Sequence, residues 1–226
     1  MDGTDSSAPR GARRLRRDAE ANRQRTLRAA REVFAERGLG VNLDDIARHA
    51  GVGVATSYRL FGNKQALINE LFEERVDALA AFAEQALTHD DPWEGFAGLL
   101  TWALEQMAAD RGLREVVFSD VGGRPQVAQA RRKFLPAVDA VMRRAQDAGL
   151  LRPDLATTDL PLIFYMVSCA IQHAQPVSSE VWRRYLTIVL DGLRVRPGLT
   201  DMPVVALTTA EEEQVAGLHP SGTPPR

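Results

Sequence analysis

NLDDIARHAGVGVATSYRLFGNK, residues 42 to 64, reads as two short helices separated by a glycine turn and followed by the start of a third. Asn42 is a strong N-cap, because its side chain can accept from the free amides of a first turn. Asp44 and Asp45 follow where the helix dipole favours negative charge. Leu43, Ile46, Ala47 and Ala50 recur at helical spacing and form one apolar face, and Gly51 closes the helix. Val52 carries the chain into a second helix expected from about Val54 to Phe61. A buried helix would offer Leu or Ile at most positions, yet this one offers Val54, Ala55, Thr56, Tyr58 and Arg59. Small methyls suit thymine methyls, arginine suits guanine edges or phosphates, and hydroxyls suit phosphates, so the surface fits a DNA groove. The pattern is that of a helix-turn-helix.

The charge distribution points the same way. The net charge of −2 over 226 residues conceals a basic head: residues 10 to 64 carry 13 basic and 6 acidic side chains, whereas residues 65 to 226 carry 15 and 22. A basic end on an acidic body is the footprint of nucleic-acid binding confined to one region. No stretch approaches the length of about 18 apolar residues that a membrane helix needs, and no signal-peptide core precedes residue 30, so a cytoplasmic protein is expected. The single Cys169 excludes an intramolecular disulfide and a cysteine-based metal site.

From these residues the resemblance becomes specific. AGVGVATSYRLFGNKQAL, together with TLRAAREVFAERGL before it and LDDIARHAGV, resembles the DNA-binding domain of the tetracycline-repressor (TetR) family of bacterial transcriptional regulators, over roughly Asn22 to Leu71. The resemblance implies a homodimer whose N-terminal helices bind an operator in double-stranded DNA and whose C-terminal helices sense a small molecule. By position, Asn42 caps towards a phosphate, Val54 and Ala55 face bases, Thr56 and Tyr58 touch phosphate or base, and Lys64 holds a phosphate; Arg59 is placed in the groove by its chemistry. The family usually has a core aliphatic where Ser57 stands and often a His where Leu60 stands. Packing beneath the recognition helix is therefore expected to differ.

An all-α architecture of about nine helices follows from the rest of the chain, in which no strand-period segment stands out. Residues 1 to 17 are expected as a disordered basic tail, with Arg10, Arg13, Arg14, Arg16 and Arg17 either following the DNA backbone or simply solubilising the chain. The DNA-binding domain is expected over 18 to 64 and an effector-binding and dimerisation domain over 65 to 196, with a flexible tail over 197 to 226 in which TTAEEEQVAGL forms at most a short helix. Asn63 should cap a connector helix from Lys64 to Leu87, and HDDPWEG should open another, with Asp91 as cap and Pro92 in the first position. A short helical piece is expected from Leu113 to Asp120 and, after a turn at Gly122 and Gly123, another helix from Pro125 to Ala148, the latter kinked or split at Pro136. Thr157 or Thr158 should cap the segment Leu160–Ala174, which is apolar nearly all the way round and needs partners on both sides. With a helix from Ser179 to Leu193 it is expected to form a dimer interface, on which Ile171 and Val189 are placed.

Large or adaptable apolar side chains with a few polar ones make ligand pockets. Trp102, Met107, Phe118, Phe134, Tyr165, Cys169 and His173 are the candidates for holding an apolar or aromatic effector, with Phe164, Met166 and Gln172 beside them. Ordinary core packing is the competing reading for each. His49, His89, His173 and His219 are scattered and no carboxylate pair has an acid/base setting, so neither an enzyme nor a bound metal or other cofactor is expected. Two alternatives stand at this point: an all-helical ligand-binding protein without DNA binding, and a helix-turn-helix used to bind protein.

Overall fold

The computed structural model describes residues 10–118 and 125–217. Among these the chain is all-helical, with ten α-helices: α1 (Arg10–Arg37), α2 (Leu43–His49), α3 (Val54–Phe61), α4 (Lys64–Leu87), α5 (Pro92–Ala109), α6 (Arg111–Phe118), α7 (Pro125–Asp147), α8 (Leu160–Ala174), α9 (Trp182–Leu193) and α10 (Thr209–Gly217). By internal packing it divides into two compact units, 1–71 and 72–226, so the division falls inside α4, seven residues past the boundary expected at 64.

In the first unit α1 packs on α2 and α3. Leu27, Ala30, Val33 and Phe34 of α1 meet Leu43, Ile46 and Ala47 of α2, with Val52, Phe61 and Leu67 closing a core in which each is under a tenth exposed. Helix α1 opens at Arg10, ahead of the expected start at 18. RGARRLRR is rich in residues with good helix propensity, and that outweighs the solvated character that suggested a tail. The turn between α2 and α3 depends on Gly51 at φ 62°, a left-handed conformation that glycine adopts without steric cost.

In the second unit α5 lies at the centre, packed on α6, α7 and α8, while α8 and α9 form a hairpin. Phe96, Leu99, Leu100, Val141, Met142, Leu151 and Leu160 build the main core, and Leu104, Val167, Ile171, Trp182 and Leu186 build a second one under the hairpin. The start of α5 follows its local signals: the Asp91 carboxylate accepts from the Trp93 amide at 2.8 Å with Pro92 in the first turn. Gly95 permits the close approach of α5 to the end of α4, since a Cβ there would stand 2.5 Å from the Ala86 carbonyl oxygen. Pro136 lies inside α7 without dividing it.

Three local expectations are corrected. Neither Thr157 nor Thr158 caps α8: their hydroxyls donate to Asp139 Oδ1 and to the Leu207 carbonyl, both at 2.7 Å, and a 3-10 turn over Thr157–Asp159 leads into the helix. Helix α9 begins at Trp182, three residues after the Ser179 expected. Ile171 is 3% exposed and belongs to its own chain's core, and Val189 packs against that core, so neither is the outward face of the hairpin. A helix apolar all round carries no pattern saying which side faces its own body. The turn expected at Gly122 and Gly123 lies outside the described residues.

Candidate DNA interface and effector cavity

Helix α2 is capped as its sequence dictates: Asn42 Oδ1 accepts from the Asp45 amide at 2.8 Å. Its own side chain is exposed, so the amide nitrogen remains available for a phosphate. Helix α3 begins after Gly53 and is stopped by Gly62 at φ 76°. Along it, Ala55, Tyr58 and Arg59 are exposed, Val54 and Thr56 are half-buried, and Ser57 and Phe61 are buried. The outward set is thus small, hydroxylated and basic, as a groove-reading helix requires.

Two further expected contact residues, Tyr58 and Lys64, have partners within the protein. The Tyr58 hydroxyl donates to the Asp44 carboxylate, and that bond, with the negative charge of Asp44, raises the phenol above its usual pKa. Lys64, half-buried, donates to the Leu39 carbonyl oxygen at 2.8 Å and so ties the start of α4 to the loop after α1. An ammonium carries three donors, which leaves two for a phosphate. Asn63 Oδ1 accepts from the Ala66 amide at 2.9 Å and caps α4. Arg23 lies 5.1 Å from the centre of the Phe61 ring and 2.9 Å from Glu70, which braces the back of α3. Ser57 is fully buried, and its hydroxyl has no protein partner among the described residues. Arg14, Arg16 and Arg17 are exposed on α1.

The second unit encloses a cavity of about 210 Å³. Trp102, Met107, Phe118 and Phe134 line it, together with Phe164, Leu100 and Leu160. Trp102 is held by stacking on Phe82, with ring centroids 4.8 Å apart. The remaining three candidates are not in its wall. Tyr165 makes an edge contact with Phe118 at 5.5 Å, and its hydroxyl is raised above its usual pKa by the neighbouring Cys169, then by burial. Cys169 is half-buried, and its carbonyl accepts from Nδ1 of the exposed His173 at 2.8 Å. Tyr165, Cys169 and His173 recur every four residues along one face of α8, turned about 100° from that of Phe164.

Sequence reasoning missed two contributors to the wall. From α4 come Phe72, Arg75, Val76 and Leu79, and from α10 come Glu212 and Val215. Arg75 is anchored by Asp110 at 3.1 Å and by Gln106 at 3.3 Å. Asp110 also caps α6 by accepting from the Leu113 amide at 2.9 Å, and burial of the nearby Arg114, which donates to the Met107 and Ala108 carbonyls, lowers the Arg114 pKa. A wider depression of about 460 Å³, between α4, α5 and α9, is open to solvent and bordered by Glu94, Glu105 and Asp191, which suits an apolar ligand less well.

The comparisons with known proteins agree with this layout. Residues 27–71 match the model for bacterial regulatory proteins of the tetR family, and residues 91–195 match that for the C-terminal domain of SbtR-like transcriptional regulators. The chain is 33% identical to a TetR transcription regulatory protein from Mycobacterium vanbaalenii of known structure, covering 80% of this chain and 99% of that one with a TM-score of 0.56. It is 29% identical over 196 residues to the HTH-type transcriptional repressor KstR2 of Mycolicibacterium smegmatis, covering 79% of this chain and 93% of the relative. The FadR regulator from Bacillus subtilis, solved in complex with stearoyl-CoA, shares the fold at 18% identity and a TM-score of 0.58, covering 75% of this chain and 98% of that one. With its helix-turn-helix, its all-helical body and these relatives, the chain belongs to the TetR family of DNA-binding transcriptional regulators.

Proposed function

We propose that this regulator is a homodimeric repressor that leaves its operator when an apolar or aromatic small molecule occupies the cavity of the body. The observation that carries the reading is the shared wall of that cavity: α4, whose first residues follow the recognition helix, supplies Phe72, Arg75, Val76 and Leu79 to it. A ligand that presses on these side chains, or competes with Asp110 and Gln106 for Arg75, acts directly on the helix that leads out of the DNA-binding unit. A coupling free energy of roughly 1–3 kcal/mol changes operator affinity about 5- to 150-fold.

Asn42, Val54, Ala55, Thr56, Tyr58, Arg59 and Lys64 form the proposed DNA surface, with Tyr58 exchanging Asp44 for a phosphate on binding. The dimer is proposed to form through the α8–α9 hairpin, where Met166, Tyr185 and Ile188 are large apolar side chains left 58%, 47% and 60% exposed. Such a surface on a soluble chain marks an interaction site. A dimer using both half-sites presents its recognition helices about 34–36 Å apart. Among the described residues no helix is long and apolar enough to cross a membrane, which is consistent with a cytoplasmic regulator.

The test is selection of genomic DNA fragments by the purified protein, followed by a search for compounds that release the selected duplex. Release should come with a rise in melting temperature, because a ligand of the folded state stabilises it. Failure to retain any duplex at low salt would overturn the regulator reading. Release without stabilisation of the body would overturn the cavity as effector site.

A further inference from the structure

The match to SbtR-like C-terminal domains stops at Val195, but the described chain continues to Gly217 and is fastened back onto the body. Arg152 donates to the Thr200 carbonyl at 2.9 Å, Asp154 accepts from the Met202 amide at 3.0 Å, and the Thr158 hydroxyl donates to the Leu207 carbonyl at 2.7 Å. Thr208 then starts α10, with its amide donating to the Glu211 carboxylate at 2.8 Å. These ties set the rotation of a helix whose own apolar pattern is weak. Of its three consecutive acids, Glu211 and Glu213 are exposed, whereas Glu212 is 4% exposed and joins Val215 in the cavity wall.

A carboxylate at the wall of an apolar cavity decides what polar group a ligand can bring. The guanidinium of Arg75 is already balanced by Asp110, and the Gln106 side-chain oxygen is already accepting from Arg75. Glu212 has two oxygens and about four lone-pair sites, so it keeps acceptor capacity whatever partner it holds. A ligand alcohol, phenol or amine can donate to it; an ionised ligand carboxylate has no proton to donate and would set acceptor against acceptor.

We propose that the C-terminal segment completes the effector site and that Glu212 is its specificity-determining residue, selecting apolar ligands that carry a hydrogen-bond donor and rejecting carboxylates. This rests on the reading of the cavity as the effector site.

Three probes with one ring system and a single changed group test it on the full chain: 2-naphthol, 2-naphthylmethylamine and 2-naphthoic acid, with binding followed by calorimetry and by tryptophan fluorescence. Wild type should bind the naphthol and the amine at least about tenfold more tightly than the acid. Glu212→Gln should keep naphthol binding and lose about tenfold for the amine, and Glu212→Leu should remove the preference against the acid. Circular dichroism checks that both variants stay folded. The same order of the three probes in wild type and both variants would overturn the role of Glu212 while leaving the cavity reading in place. Tightest binding of the acid by wild type would also overturn it and would assign the polar contact to Arg75. Binding of none of the probes to wild type would overturn both readings.

Discussion

The ammonium of Lys64 donates to the carbonyl oxygen of Leu39 at 2.8 Å, across 25 positions of sequence. The residue proposed to hold a phosphate is thus also a tie between the start of α4 and the loop after α1. Lys64→Ala should weaken binding to every duplex alike and reduce the salt slope by about one unit for the lost phosphate contact. It should also destabilise the DNA-binding unit by about 1 kcal/mol through the lost tie to Leu39. Titrations at several salt concentrations, with urea unfolding of the same variant, separate the two effects; an unchanged salt slope would make Lys64 purely a structural tie.

Arg59 is exposed on α3 and has the reach for a base edge. Arg59→Ala should relax preference at one base pair, since a bidentate arginine contributes about 1–3 kcal/mol of discrimination. Val54→Ala should relax preference at a different pair. Binding-site selection with each variant reads this out, and selection of the wild-type sequence by both would remove α3 from the groove.

Ser57 puts a hydroxyl without a protein partner among the described residues into a fully buried position under α3. Ser57→Ala should therefore stabilise the DNA-binding unit by about 1 kcal/mol, because it removes a desolvated polar group and improves helix propensity. Urea denaturation is the measurement. A loss of stability would mean that the hydroxyl is bonded in solution.

The two faces of the α8–α9 hairpin should respond differently to charge. Ile188→Glu, at a site 60% exposed, should give a folded monomer, whereas Ile171→Glu, at a site 3% exposed, should unfold the body because it buries a carboxylate. Sedimentation and circular dichroism of both variants distinguish these outcomes. An Ile188→Glu protein that remains dimeric would move the interface elsewhere.

Acid should loosen the C-terminal segment first. The hydrogen bond from Arg152, with help from the Met202 amide, holds the Asp154 carboxyl well below its ordinary value of 3.8. A depressed folded pKa means that this stabilisation is fully present above the ordinary value and is lost as pH falls through the folded one. Asp154 is about a third exposed, so the contribution is screened and modest. Urea midpoints measured between about pH 5 and pH 2 should fall less steeply for Asp154→Asn than for wild type. Parallel curves would show that the pair adds nothing to stability.

The parts of this molecule legible in its sequence are those whose causes lie within a few residues. Asn42, Asn63 and Asp91 each cap a helix by accepting from an amide two or three positions on, so the starts of α2, α4 and α5 could be read directly. The outward chemistry of α3 was legible too, because Ala55, Tyr58 and Arg59 are unlike core residues wherever they are placed. Tertiary structure alone decided which side of α8 faces inward, since Ile171 and Met166 are both apolar and only the position of Trp182 and Leu186 separates them. It likewise decided that Phe164, and not Tyr165, reaches the cavity, that Lys64 meets Leu39, and that Glu212 of a weakly patterned acidic helix is buried. Each of these depends on contacts between residues far apart in the chain. Propensity and capping act over one helical turn, whereas burial is set by whatever the rest of the fold brings to that face.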